Sequence, residues 1–255
     1  MVYSRAFGFQ RRDGEYVRCI VPILDMANHN PDAAVAAEQA FCYEDASNTI
    51  KLICPKFTKA TEECHAFYGA YPNGKLLFTY GFTIIGCMHR TIDLWTRVGP
   101  STSCGDRKSR ILNENPLTSN QTYDFKGTIA DNRVSPALLA TIRIIQSTED
   151  ELEFVERAFK GKIISVRNEL ATYKALRELV VARMNPAQAE ADRRALGELL
   201  LGGACPSDRA VMALVVKTDE RDLLQDIIPV IDSWAAKLEE LGSAYVPPDH
   251  VLEAL

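Results

Sequence analysis

The chain has 255 residues, 47% of them hydrophobic and 25% charged, which is enough apolar material for a packed core in one large domain or two modest ones. A formal net charge of −5 and a pI near 5.5 weigh against a nonspecific nucleic-acid binder, which normally leans basic. No uninterrupted apolar run is long enough to span a bilayer, and the seven cysteines, odd in number and never spaced CxxC, support neither a disulfide framework nor a structural zinc site.

In chain order, residues 1–99 read as mostly β. Tyr3 to Gln10 and Tyr16 to Ile23 are strand-like across the Asp-Gly turn signal of Arg12-Asp13-Gly14-Glu15. Ala40 to Tyr43 and Thr49 to Cys54 form a second predicted pair, Glu63 to Tyr68 a short strand, Lys75 to Tyr80 one or two helical turns, and Ile92 to Val98 a last strand. Residues 100–134 are rich in Ser, Asn, Asp, Gly and Thr and are predicted to be a linker or long surface loop. Residues 135–255 read as helical. Ser135-Pro136 is an N-cap and first-turn pair ahead of Leu138, Ile142 and Ile145. The same spacing continues through Leu152, Val155 and Phe159 and on to Leu176, predicting a long amphipathic helix; Asn185-Pro186 marks a new start, and Arg209 to Ile228 and Val230 to Leu241 are two more helices. Strands followed by helices predict an α+β protein: a β-rich part, then an all-helical domain.

Several enzyme classes lack their motifs here. There is no GxGxxG, no GxxxxGK[ST], no HExxH and no GxSxG, and the four histidines (His29, His65, His89, His250) are never paired at ligand spacing, so no metal site is expected.

Two segments carry candidate chemistry. Val21 to Asn30 is an apolar strand running into the corner Asp25-Met26-Ala27-Asn28-His29, which can present carboxylate, amide and imidazole groups to a ligand. Read alone, the corner better suits a strand-end turn in which Asp25 and Asn28 make local backbone hydrogen bonds. The second segment holds Tyr68-Gly69, Asn73, Leu76-Leu77 and Tyr80-Gly81-Phe82. Read alone, Tyr68 is a half-buried strand tyrosine, Tyr80 a core residue and Arg5 half of a surface salt bridge. In this order, the two segments resemble the end of a SET domain of the Rubisco large-subunit methyltransferase-like branch. Ser4-Arg5-Ala6-Phe7 resembles the strand leading into the corner, and Ser165-Val166-Arg167-Asn168-Glu169 with Arg209 to Leu214 resembles the branch's helical substrate-binding domain.

The resemblance implies S-adenosylmethionine-dependent transfer of a methyl group to a protein lysine. A lysine amine, with a pKa near about 10.4, carries little free lone pair at neutral pH, so such a site must desolvate it and take up its proton. Nitrogen, methyl and sulfur must also lie in line. The resemblance makes Tyr68 the catalytic tyrosine. Asn28 and His29 would hold the cofactor, partly through backbone groups, with Tyr80 walling the lysine channel beside the cationic sulfonium. Ser4, Arg5 and Asp25 would line the substrate side; Phe82 is expected in the core. The family's opening strand, Gly-rich turn and helical insert find no match, so the expectation is residues 1–99 as the C-terminal part of a SET domain, with weak or no activity. Rival readings are a protein-histidine methyltransferase and a non-enzymatic module whose helical half docks a partner. The expected partner is a lysine-bearing protein, with no nucleic acid and no membrane; a monomer is expected, inside the cell, in cytoplasm, nucleus or plastid.

Overall fold

The computed structural model describes residues 4–11, 14–33, 41–44, 46–52, 57–119, 124–130 and 133–241. The chain divides into two compact units, Met1–Thr83 and Ile84–Leu255. This division falls earlier than the expected β-to-helical boundary at residue 99, because the strand that follows residue 83 takes its hydrogen bonds from the second unit.

The first unit is a set of short ladders. Strands β1 (Ala6–Gln10) and β2 (Tyr16–Ile20) pair antiparallel, with Gly8 opposite Arg18. The predicted hairpin is therefore present, although Tyr3, Arg12 and Asp13 lie outside the described residues. The second predicted strand stops at Ile20, and its last residues instead enter a 3-10 turn at Leu24–Met26. Ile23, which precedes that turn, sits at φ 74°, a region where a β-branched side chain is strained. Then come β3 (Asn28–His29), β4 (Phe41–Glu44) and β5 (Thr49–Leu52), the last two antiparallel; Ala40, Ile53 and Cys54 of the predicted pair lie outside the described residues. Strand β6 is only His65–Ala66 and runs parallel to β3. Helix α1 (Asn73–Tyr80) starts two residues before the predicted turns and is pinned by Leu76, 1% exposed. Gly81 ends it at φ 84°, its N–H donating to the carbonyls of Leu76 and Leu77, a left-handed cap that glycine adopts without a Cβ penalty.

The second unit is helices on a small sheet. Strands β7 (Thr91–Thr96), β8 (Phe125–Ala130) and β9 (Arg133–Val134) form an antiparallel sheet in that order. Ile92, Leu94, Phe125 and Ile129 are buried, and alternate residues such as Asp93 and Lys126 pair on the exposed face at 2.8 Å. Between β7 and β8 lies α2 (Gly105–Glu114). The 100–134 stretch expected as a loop thus contains a helix and two strands. Its polar composition hid them because α2 anchors through little more than Leu112, fully buried, and Lys108, whose buried ammonium donates to the Ile145 carbonyl at 2.9 Å.

Helix α3 (Pro136–Gln146) is capped by Ser135, whose hydroxyl accepts from the backbone N–H of Leu138 and of Thr128. Its first turn presses on β8 at Gly127, where a Cβ would meet the Leu138 Cβ at 2.2 Å. The predicted long helix is instead three pieces: α3, the short α4 (Val155–Phe159) and α5 (Val166–Met184). Gly161 at φ 74° turns the chain between the last two, and Ser165 restarts it as an N-cap accepting from the Asn168 N–H. Helix α6 (Pro186–Leu201) begins at the predicted Asn185-Pro186. The two helices predicted last are one, α7 (Arg209–Leu241), which runs through Pro229. A proline removes one helical hydrogen bond, but Leu223, Leu224, Ile227 and Ile231 around it are essentially fully buried and hold the axis together.

Helices α3 and α5 are joined by a buried ion pair. Arg143 donates from Nε and an Nη to the two carboxylate oxygens of Glu169 at 2.7 and 2.6 Å, with side-chain exposures of 6% and 0%. Burial disfavours the Arg143 charge, but the Glu169 carboxylate outweighs it and keeps the guanidinium protonated. Asn168 Nδ2 adds a bond to the Arg143 carbonyl. Removing one partner strands a buried charge, so Arg143→Met is expected to cost about 3–5 kcal/mol in denaturant unfolding, while adding Glu169→Leu to it recovers most of that loss.

Candidate active site

Beside β1 and β2 lies a cleft of about 550 Å3, contained within the first unit. Of the residues the sequence singled out, Ser4, Arg5, Asp25, Tyr68 and Tyr80 all line it, although they come from four separate parts of the chain. Each is held by a local rule. Arg5 stands at the entry to β1, and its Nη1 donates to the Asp25 carbonyl oxygen at 2.8 Å and lies 3.9 Å from the Asp25 carboxylate. Asp25 is presented by the 3-10 turn after strained Ile23. Tyr68 follows β6, and Tyr80 is the last residue of α1, so the Gly81 cap decides where its ring ends.

The aromatic rings form a continuous row. Tyr68 and Tyr80 have centroids 4.8 Å apart, Tyr80 and Tyr71 6.3 Å apart and nearly stacked, and Phe82 touches both Tyr68 and Tyr80. Phe82, expected as core, is therefore half-buried against this row. Gly69 lies at φ 134°, and a Cβ there would meet the Tyr71 ring at 2.7 Å, so the glycine lets that ring fold back toward the cleft. The Tyr68 hydroxyl donates to the Ala27 carbonyl at 2.7 Å, which fixes its oxygen against the corner.

Asn28 and His29 sit differently. They pair with His65 and Ala66 in the β3–β6 ladder and do not line the cleft. The Asn28 side chain is exposed and donates from Nδ2 to Glu63 Oε1 at 2.6 Å. His29 accepts the Tyr68 backbone N–H at Nδ1, 3.1 Å away, and its ring packs on Phe67, Tyr68 and Phe82. The imidazole thus positions the Tyr68 backbone, while its Asn28 neighbour is tied outward. The sequence reading passed over Tyr16, Arg18, Tyr71 and Lys75, which also line the cleft. For Arg18 a signal existed, since the hairpin register sets it opposite Gly8.

Burial raises the Tyr68 hydroxyl above the ordinary tyrosine range, with Arg5 pulling it partly back. Burial also raises Tyr80, reinforced by Tyr71 and Tyr68. Both are therefore neutral hydroxyl groups at physiological pH, able to donate. Among the described residues no cluster of three or more His, Cys, Asp or Glu is arranged to hold a metal, and no helix is long and apolar enough to cross a membrane.

A β-rich unit of short ladders carrying a tyrosine-lined cleft, followed by helices on a small sheet, is the expected α+β class. Residues 99–224 match the protein-family model described as Rubisco LSMT substrate-binding. No curated protein matches the chain. Among solved structures, the SET domain of LSMT bound to methyl-lysine and AdoHcy superposes with a TM-score of 0.67 at 22% identity, covering 99% of this chain and 60% of that one. Rubisco LSMT bound to AdoMet gives 0.63 at 21% identity, with 100% and 60% covered. Rubisco LSMT bound to sinefungin and monomethyllysine gives 0.60 at 21% identity, with 92% and 57% covered. The chain thus has the Rubisco LSMT fold, matches the substrate-binding family model at residues 99–224, and spans about 60% of the length of the first structures it matches.

The raised tyrosines have a measurable consequence. A group whose folded pKa lies above its unfolded value stabilises the fold fully below the unfolded pKa, and that contribution is lost as pH rises through the folded pKa. Tyrosinate absorbance is therefore expected to show late-titrating tyrosines above the ordinary value of about 10, one fewer in Tyr68→Phe, with stability falling in that alkaline range.

Proposed function

We propose that the chain is the cleft-bearing and helical part of an S-adenosylmethionine-dependent protein-lysine N-methyltransferase. The observation that carries this reading is the Tyr68–Tyr80–Tyr71 row lining the cleft, with the Tyr68 hydroxyl fixed on the Ala27 carbonyl. Aromatic faces attract ammonium and sulfonium cations alike, and the Lys75 ammonium, 3.6 Å from the Tyr71 centroid, shows a lysine cation accommodated on this row. The chemistry of the lining therefore suits the cofactor: S-adenosylmethionine, when bound, supplies an electrophilic methyl on a cationic sulfur.

Every other task belongs to the protein. Tyr68 and Tyr80 stay neutral and orient the target amine by hydrogen bonding and ring contact. Their apolar faces lower the amine's preference for its charged form by desolvation. Before attack the amine gives up its proton to solvent, and the Asp25 carboxylate, beside Arg5 at the same cleft, lines the substrate side. Asn28, exposed on β3 outside the cleft, belongs to the cofactor side in this reading, and His29 acts through Tyr68.

A second reading is favoured by one observation: the family-model match falls on residues 99–224, in the helical unit, which suits a non-enzymatic docking module for a partner protein. Two measurements separate the readings. Calorimetric titration of the chain with S-adenosylmethionine is expected to show saturable binding, an outcome that would overturn the expectation of weak or no activity. Tyr68→Phe should retain that binding but lose about 100-fold or more in methyl transfer to lysine, read by mass spectrometry of an extract. Unchanged partner capture with no cofactor heat in either form would leave the docking module as the reading.

A further inference from the structure

One lysine of the chain already stands on the row of rings. The Lys75 ammonium lies 3.6 Å from the Tyr71 ring centroid, within cation–π distance, and both residues line the cleft. Local backbone bonds set the pair. The Lys75 N–H donates to the Pro72 carbonyl at 2.9 Å, which places its side chain in the first turn of α1, close to Tyr71 in sequence. The Tyr71 N–H donates to the Gly69 carbonyl at 2.9 Å, and Gly69 leaves the room into which the ring folds back. Lys75 is exposed and makes no ion pair among the described residues, so the Tyr71 face is what receives its charge. Tyr71 in turn is nearly stacked on Tyr80, which leads to Tyr68.

We infer that the Tyr71 face is an ammonium-binding subsite of the cleft and that Lys75 is its resident ligand, which any ammonium arriving from outside has to displace. A ring face holds one ammonium at contact distance, because a second like charge beside it is repelled. A ligand tethered a few residues away acts at an effective concentration on the order of millimolar, so it returns to the ring quickly once displaced. The apparent affinity of the row for an external ammonium is therefore lowered by the fraction of time that Lys75 occupies the ring. A cation–π contact at an exposed site is weak, so the resident raises the concentration needed for occupancy without closing the cleft. An uncharged side chain of the same shape does not compete for the ring's charge and feels the resident much less. The inference rests on the reading of the cleft as a lysine site.

The test follows the full chain by NMR with isotope-labelled lysine side chains. The Lys75 Hε protons, assigned by their loss in Lys75→Ala, are expected upfield of the other lysines because they lie over the Tyr71 ring. Titration with tetramethylammonium chloride should return them toward the ordinary lysine position, and sodium chloride at the same concentration should not. Lys75→Ala, which changes one exposed side chain on a helix, is expected to bind tetramethylammonium about threefold or more tightly than the unaltered chain, while Lys75→Arg binds it much as the unaltered chain does. Circular dichroism checks that both variants are folded. Lys75 protons at the ordinary position, a response no larger to tetramethylammonium than to sodium, or equal affinities of the unaltered chain and Lys75→Ala each overturn the inference. Nα-acetyl-lysine methylamide and its norleucine counterpart examine the lysine-site reading separately. If the two bind Lys75→Ala alike while tetramethylammonium still displaces Lys75 from the unaltered chain, that reading fails and the resident cation stands.

Discussion

The candidate site hangs on a ladder of two residues. Asn28–His29 and His65–Ala66 pair in parallel, and this contact brings the Asp25-to-His29 corner against the Tyr68 segment from nearly forty positions away. So short a ladder is marginal by itself. Side chains complete it. The His29 Nδ1 accepts the Tyr68 N–H, so a neutral ring must carry its proton on Nε2. Its face packs on Phe67, Tyr68 and Phe82. The Tyr68 hydroxyl closes the loop on Ala27, the residue before the ladder. Backbone and side chain of one tyrosine are thereby both fixed to the same corner.

That arrangement divides labour within a five-residue motif. Asp25 faces the cleft, Ala27 supplies a carbonyl, and His29 supports Tyr68 from behind. The alternation comes from the corner geometry: a 3-10 turn presents Asp25, and the extended residues after it point their side chains to opposite sides. The strain at Ile23 belongs to the same device, since the chain has to reverse abruptly between β2 and the turn.

The helical unit is built by different means. Its core joins Leu138 and Ile142 of α3, Leu176 and Val180 of α5, and Leu223 to Leu238 of α7. A bidentate Arg143–Glu169 pair is set into its margin, where burial raises Tyr173 and the Glu169 charge raises it further. Such a pair contributes little net stability compared with apolar residues of equal volume, but it penalises any arrangement that separates α3 from α5. The Ser165-to-Glu169 motif read from the sequence divides between these tasks: Ser165 caps α5, while Asn168 and Glu169 hold α3.

The sequence by itself determined what depends on neighbours in the chain. The hairpin around Gly14, the Ser135 and Asn185 caps and the Gly81 stop all follow from local backbone chemistry, and the order of the Asp25-to-His29 and Tyr68-to-Phe82 motifs was enough to indicate the fold. Only the tertiary structure decided what depends on residues far apart. Polar α2 is a helix because one leucine and one buried lysine find partners in α3's neighbourhood, and α7 passes through Pro229 because burial on both sides outweighs one missing hydrogen bond. It also decided that Asn28 and His29 stand behind the cleft while Tyr71, Arg18 and Lys75 line it. No local pattern encodes that outcome, because which face of a strand or helix meets the cleft is set by packing against segments dozens of residues away.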